Sequence, residues 1–558
     1  MIKNIVIGGT AGHGINTLSY FLVRILRDHG YYIHSMKDYM SRVRGGANFT
    51  QIRFGSKPIH SHDPKIDILM ALNQEAIDLH SHRLRKGGFL ICDSEAQTDY
   101  LNVIRIPIKE IGASNQNPRG ISSIAVGAIV KALGLDKEDL RKISIPKWPE
   151  AMVEKNYKTA LEAYNASTKV YEKIESVIKP DSDILYMSGN QAIALGAIAG
   201  GLDFYCAYPM APSTGIMSTL SQFEKDAGIL VEQAEDEIAA MNVVIGASAT
   251  GARSMTGSSG GGLALMVEAL GFAGIGEVPI VAVDVQRPGP ATGLPTRTEQ
   301  SDLSFVLNAS QGEMPQMIIS VKSVEDAFYQ TARALNIAET YRLPVLILSD
   351  QYLADMSQSF EEPNLEDIKI IENEDTQKDL GQLYKMYDLS SSLTPRMFPG
   401  QSGSTLTFTD SHEHDEVGHI TEDSELRTQM MHRRMGKLKL LKKDLQEPDY
   451  FGPNSAEIVL VGWGSMYGPL KDAVEHLNNH GHSVGALVFG DLFPLPEKKL
   501  RSYATTAKTL VNVEMNYTGQ LARLIRMETG IEMNHSILKF DGRQLNFREI
   551  AEQVKELI

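Results

Sequence analysis

The 558-residue chain has only two cysteines, Cys92 and Cys206, which excludes a disulfide framework and a four-cysteine iron–sulfur cluster held by this chain alone. Positive charge is short as well: 54 lysines and arginines against 69 acids leave a formal net charge of −15. That balance argues against nucleic acid as a partner, because phosphate binding needs a basic face. Docking of an acidic protein would need a local patch or another subunit. Long apolar runs are missing too, none reaching the roughly 18 residues of a membrane helix. The opening MIKNIVIGGT reads as a first strand rather than a basic region followed by an apolar core. These absences predict a soluble, cytoplasmic protein with no membrane segment.

What is present is ordinary globular composition, 42% apolar and 22% charged, long enough for three or four domains at about 150 residues each. The most informative stretch runs from Ile229 to Thr296. A short apolar strand leads into four acids within six residues, Glu232, Glu235, Asp236 and Glu237. A small-residue helix over Ile238 to Ala252 ends at SMTGSSGGG, which includes Thr256, Ser258, Ser259 and Gly260. A second apolar helix and the strand VPIVAVDV then deliver Arg287 into RPGPATG. Strand, acid-led helix, glycine loop, helix and strand make the rhythm of a doubly wound α/β domain, where chemistry sits at the carboxyl ends of strands.

Upstream, the strand KNIVIG enters GGTAGHGI, where Gly9, Gly12 and Gly14 permit a tight turn and bare helix-start N–H groups for an anion. The spacing is neither G-x-G-x-x-G nor a Walker motif, so tight-turn packing is the plainer alternative. Arg42 and Arg44 in SRVRGG suit a phosphate or carboxylate, or equally a solvated turn or subunit salt bridge. Residues 120–143 are expected to be helical, and 150–178 to form a polar helical arm ending at a boundary near 180. Next comes the loop Tyr208-Pro209-Met210-Ala211-Pro212-Ser213-Thr214, stiffened by two prolines, with Ser213 placed to cap a helix.

Residues 356–450 are polar and weakly periodic, and His412, Glu413, His414, Asp415, Glu416 and His419 cluster there. Their spacing is not H-E-x-x-H, so a loop packed at a subunit or active-site edge is the better reading than a metal site. The basic helix RTQMMHRRMGKLKLLKKDL that follows reads as a solvated or interdomain face. A last α/β region starts at AEIVLVGWGS. The expected α/β boundaries are 1–180, 181–360, an irregular connector over 361–450, and 451–558.

Several of these segments, in this order, resemble the 2-oxoacid:ferredoxin oxidoreductases, as a fused gamma–alpha chain. GGTAGHGI with SRVRGGANFTQIRF is similar to the gamma domain, YPMAPST to the alpha-domain signature YPITPS, and EDEIAAMNVV through QRPGPATGLPT to its core. EHDEVGHITED and VEMNYTGQL match later family segments, and the last domain is similar to the C-terminal domain of transketolase-like enzymes. The resemblance implies Rossmann-like and transketolase-like α/β domains. It also implies oxidative decarboxylation of a 2-oxoacid with coenzyme A to acyl-CoA, CO2 and reduced ferredoxin.

Thiamine chemistry needs a carboxylic acid on the pyrimidine N1′, held in a dry site, to drive the imino tautomer that takes the C2 proton. Glu237 matches that acid, with Glu235 as runner-up, while Glu232 and Glu235 suit the helix dipole. Arg287 matches the arginine that binds the substrate carboxylate, with Tyr208, Pro209, Ala211, Ser213 and Thr214 beside it. The family usually has threonine where Ala211 stands, an interaction worth about 1 kcal/mol. Arg42, Arg44, Gly12 and Gly14 are the candidates for coenzyme A.

The GDG segment that carries Mg²⁺ and pyrophosphate in thiamine enzymes is missing. The resemblance therefore places Mg²⁺ and the [4Fe–4S] cluster in a beta subunit, within an (αβ)₂ heterotetramer. 2-Oxoglutarate is the favoured substrate, since fused gamma–alpha chains are common in that subgroup. Pyruvate, branched-chain or aryl 2-oxoacids, or a non-catalytic scaffold subunit, are the alternatives.

Overall fold

The computed structural model describes residues 2–41, 46–177, 183–373, 383–399 and 409–557. Arg42 and Arg44 lie outside the described residues. The chain forms two compact units, Met1–Met187 with Met356–Glu362, and Ser188–Asp355 with Pro363–Ile558. Among the described residues no helix is long and apolar enough to cross a membrane.

In the first unit the strand Ile2–Thr10 lies inside an eight-stranded sheet, antiparallel to Ala47–Gly55 and parallel to Ile66–Ala71. Its near-continuous burial is what a strand covered on both faces requires. The helix Ile15–Asp28 packs through Leu18, Phe21, Leu22, Ile25 and Leu26, one apolar stripe at helical spacing.

Two expected helices are shorter than the sequence suggests. The 120–143 stretch is a helix only over Ile121–Ala132, because Gly134 turns left-handed at φ +66° and a short 3₁₀ turn, Lys137–Lys142, follows. The arm is helical over Glu150–Ala166, after which Tyr171 and Ile174 donate backbone N–H groups to Ala132 and Leu133. A side chain at Gly134 would lie 2.8 Å from the Cα of Lys173, so this close crossing needs glycine. The non-helical strap satisfies the carbonyls at the end of the preceding helix, and that tertiary gain outweighs local propensity.

The second unit holds two sheets. The seven-stranded one runs Asp491–Phe493, Met317–Ser320, Pro344–Asp350, Ile280–Gln286, Ser254–Ser258, Phe204–Ala207 and Leu230–Gln233 in spatial order. Its pairings are parallel except for the edge strand Asp491–Phe493. The five-stranded sheet is parallel apart from Asp449–Phe451. One apolar core joins Met241, Leu270, Ile318 and Leu348 from the first sheet's layers to Trp463, Phe489 and Leu521 from the second's.

The basic helix, Ser424–Leu441, departs from the solvated alternative of the sequence reading and fits the interdomain one. Arg433, Arg434 and Lys437 are buried rather than solvated, Lys437 completely. Arg433 and Lys437 pair with Glu277, and Arg434 pairs with Glu413 at 2.7 Å. Burial alone would raise the Glu277 carboxyl, but Lys437, Arg433 and Arg342 outweigh it and hold it at about 2. Glu413 also meets Arg427, and the His414 ring packs on Tyr387 with centroids 4.1 Å apart. Among the described residues no group of three His, Cys, Asp or Glu side chains is arranged to hold a metal ion.

Candidate active site

Parallel pairing brings Ala207, Gln233, Ser258 and Gln286, the last residues of four strands, to one edge of the seven-stranded sheet. The four loops that follow carry the residues singled out in the sequence. This is where α/β sheets bind ligands.

The acid-led turn sorts its acids by position. Asp236 is the helix cap, its carboxylate accepting from the Ala239 N–H at 2.8 Å. Glu232 lies in the strand Leu230–Gln233, and Glu235 is exposed immediately before the cap. Glu237 is the first residue of the helix Glu237–Ala249, only 4% exposed, and its Oε1 meets no hydrogen-bond donor. A buried carboxyl oxygen without a partner is costly. It is tolerated where something outside the chain completes it.

The glycine loop faces that oxygen. A Cβ at Gly262 would stand 2.8 Å from Glu237 Oε1 and 2.0 Å from Ser258 Oγ, so the absence of a side chain there is a steric requirement. The Oγ1 of Thr256, a fully buried residue, also has no partner. Ser259 donates its hydroxyl to the Met210 sulfur at 2.7 Å, and Ser258 lies 3.7 Å from the same atom. Met210 thereby ties the Tyr208–Thr214 loop to the glycine loop.

In that proline loop, Asn190 holds the Pro212 carbonyl at 2.8 Å. Ser213 stands at the cap position of the helix Thr214–Ala227, but its hydroxyl donates back to the Met210 carbonyl at 2.8 Å, so it closes the loop instead of capping the helix. Tyr208 and Ala211 are exposed, whereas Pro209 and Thr214 are half-buried. Arg287 reaches across from the end of Ile280–Gln286, and its Nη1 donates to the Ala211 carbonyl at 2.6 Å. Burial lowers the Arg287 pKa and the charge of Asp302 opposes that shift. One guanidinium edge is fixed by the backbone beside Ala211. Glu237, Thr256, Ser258, Ser259, Gly260, Met210, Ala211 and Arg287 are thus brought together, whereas Glu235 is not.

Sequence reasoning missed two acids here. Asp284 is fully buried on the central strand and faces Asp302, which lies against Gly260. The available signal was a lone acid inside the otherwise apolar run VPIVAVDV. In the first unit, Gly12 and Gly14 are left-handed at φ +97° and +73°, leading into the helix Ile15–Asp28. That geometry leaves helix-start N–H groups bare without showing a ligand.

Residues 195–433 match the family described as pyruvate flavodoxin/ferredoxin oxidoreductase, thiamine diphosphate-binding. Residues 4–166 match pyruvate ferredoxin/flavodoxin oxidoreductase, and 456–550 match core domain II of pyruvate:ferredoxin oxidoreductase. A 2-oxoacid:ferredoxin oxidoreductase alpha subunit from Aeropyrum pernix is 32% identical over all of this chain and 98% of its own length. A 2-oxoglutarate oxidoreductase subunit from Mycobacterium tuberculosis is 26% identical over 99% of this chain and 91% of its own. The solved 2-oxoglutarate:ferredoxin oxidoreductase from Magnetococcus marinus superposes with a TM-score of 0.92 at 30% identity, covering 100% of this chain and 99% of that one. The chain therefore belongs to the 2-oxoacid:ferredoxin oxidoreductases, as an alpha subunit with a thiamine diphosphate-binding domain.

Proposed function

We propose that this alpha subunit oxidatively decarboxylates 2-oxoglutarate with coenzyme A, giving an acyl-CoA, CO2 and reduced ferredoxin. The observation that carries the reading is the buried, unpartnered Oε1 of Glu237 facing the side-chain-free Gly262. That is a buried polar atom left for a thiamine pyrimidine to complete. Glu237 and the Thr256–Gly260 loop would hold the cofactor, which when bound supplies the electron sink for decarboxylation.

This chain's own residues do the rest. Glu237 would present its unpartnered Oε1 to the cofactor from a buried position, where a hydrogen bond is strong. Arg287, pinned by the Ala211 carbonyl, offers its remaining donors to the carboxylate of a 2-oxoacid. Ser258, Ser259 and Met210 close the floor.

2-Oxoglutarate is supported by the Magnetococcus enzyme, solved with 2-oxoglutarate, coenzyme A and succinyl-CoA bound, and by the Mycobacterium relative's name. Pyruvate, branched-chain or aryl 2-oxoacids form the second reading, favoured by the Aeropyrum relative's broader 2-oxoacid name and by alanine at position 211. Coenzyme A is assigned to the Gly12–Gly14 turn with Arg42 and Arg44. Mg²⁺ and a [4Fe–4S] cluster are assigned to a beta subunit in an (αβ)₂ complex, supported by the two cysteines here being buried and too few. Domain limits near 180 and 450 are consistent with family matches over 4–166, 195–433 and 456–550, whereas the second of these runs across the expected limit at 360.

The test is viologen reduction by the chain co-purified with its beta subunit, with thiamine pyrophosphate, Mg²⁺ and coenzyme A. Reduction that depends on 2-oxoglutarate and coenzyme A is expected. Reduction with pyruvate or a branched 2-oxoacid alone would move the assignment to the second reading. Gly262→Ala in the same complex should lower kcat by roughly 10²-fold, because its Cβ displaces Glu237 and misplacement near 1 Å costs that much. An unchanged kcat would mean that the close Glu237–Gly262 approach has no catalytic consequence.

A further inference from the structure

Neither carboxylate oxygen of Asp284 meets a donor, and the group that Asp284 faces is the carboxyl of Asp302, whose Oδ2 also lacks a donor. Ionised carboxylates only accept hydrogen bonds, so two in hydrogen-bonding contact require a proton between them. The pair lies within the site. A Cβ on Gly260 would be 2.3 Å from Asp302 Oδ2, and Gly262, two residues on, faces Glu237. Arg287 follows Asp284 at the end of the same strand and interacts with Asp302. The Asp302 N–H is fixed by Gln286 Oε1 at 3.0 Å.

The charged groups facing the pair are Arg287 and Glu299, with Asp541 beyond Glu299. With one shared proton the pair carries a single negative charge against the Arg287 guanidinium. With none it carries two, and the surplus repels an incoming carboxylate.

We propose that Asp284 and Asp302 are positioning residues for the 2-oxoacid, sharing one proton so that their single charge orients Arg287 and leaves the site open to an anion. The inference rests on the 2-oxoacid reading of Arg287. Electrostatics agree with the geometry. Burial and then Asp302 push Asp284 well above the carboxylate range, while burial lifts Asp302 to about 6 against the pull of Asp284 and Arg287.

Loss of the shared proton at alkaline pH should raise KM for the 2-oxoacid roughly tenfold, the scale of one extra charge at a partly buried ion pair. kcat should change less. Asp284→Asn keeps a donor towards Asp302 but cannot ionise, so it should flatten the pH profile of KM. Asp284→Leu, without a donor, should raise KM already at neutral pH.

The second readout is infrared difference spectroscopy of the αβ complex. A carbonyl-stretch band of a buried protonated carboxyl should be present in the wild type and lost in Asp284→Asn. In Asp302→Asn burial alone still keeps Asp284 protonated, so the band should remain but shift, which covers a failure of Asp284→Asn to assemble. An alkaline rise in KM that persists in Asp284→Asn, or a wild-type spectrum without the band, would overturn the pair. A complex that turns over no 2-oxoacid yet shows the band would overturn the substrate reading and leave the shared proton standing.

Discussion

Replacing Glu237 by glutamine is expected to lower turnover of the assembled complex by a factor on the order of 10² to 10⁴, the usual weight of a positioned general acid or base. Folding should hardly change. The helix cap is Asp236, so the substitution leaves the Ala239 hydrogen bond in place. The Oε1 of Glu237 makes no hydrogen bond within the chain that could be lost, and glutamine fills the same volume beside Gly262. What disappears is the carboxyl group's capacity to exchange a proton with the cofactor. The measurement is 2-oxoacid-dependent viologen reduction, alongside the thiamine pyrophosphate content of the purified complex. A Glu237→Gln complex within about threefold of wild-type turnover would remove Glu237 from the chemistry and revive the scaffold reading.

Glu277→Gln should act on stability instead, by about 3 to 5 kcal/mol, the cost of stripping one partner from a buried ion pair. Glu277 is the carboxylate facing Lys437, Arg433 and Arg342, and all four residues are buried. Its pKa of about 2 in the fold lies below its ordinary 4.5. The stabilisation is therefore complete above about 4.5 and is lost as pH falls through about 2, a loss of about 3 kcal/mol at 1.36 kcal/mol per unit. Urea unfolding of the chain at neutral pH and down the acid limb tests both statements. Equal midpoints for wild type and Glu277→Gln at neutral pH would sink the first. In the double variant Glu277→Gln with Lys437→Met, part of the loss should return, because one uncompensated buried charge is gone.

The two predictions draw on regions that differed in how readable they were. Around Glu237 and Arg287 the chain announces itself through strand, turn and glycine loop in close succession, because the site uses strand ends that are near in sequence. Around Glu277 the sequence leaves the choice between a solvated and an interdomain face open. Arg433, Arg434 and Lys437 look like the polar face of a surface helix until Glu277, 156 residues from Arg433, is folded against them. The arm after Ala166 misleads for a related reason. Residues 167–177 have helical composition, but their backbone is taken by the carbonyls of Ala132 and Leu133. In both cases a distant partner overrides a local pattern.

Composition and segment order determined the α/β class, the candidate loops and their order along the chain, because period, turn residues and apolar strands are local properties of neighbouring side chains. Which of the four acids between positions 232 and 237 is buried was left to tertiary structure. A step of one residue turns a helix by about 100°, so Asp236 caps in solvent while Glu237 points inward against Gly262. Tertiary structure also decided that Asp284 meets Asp302 and that three cations meet Glu277. Charge pairing depends on distances of a few ångströms and on exclusion of water, and neither exists until the sheets close over their core.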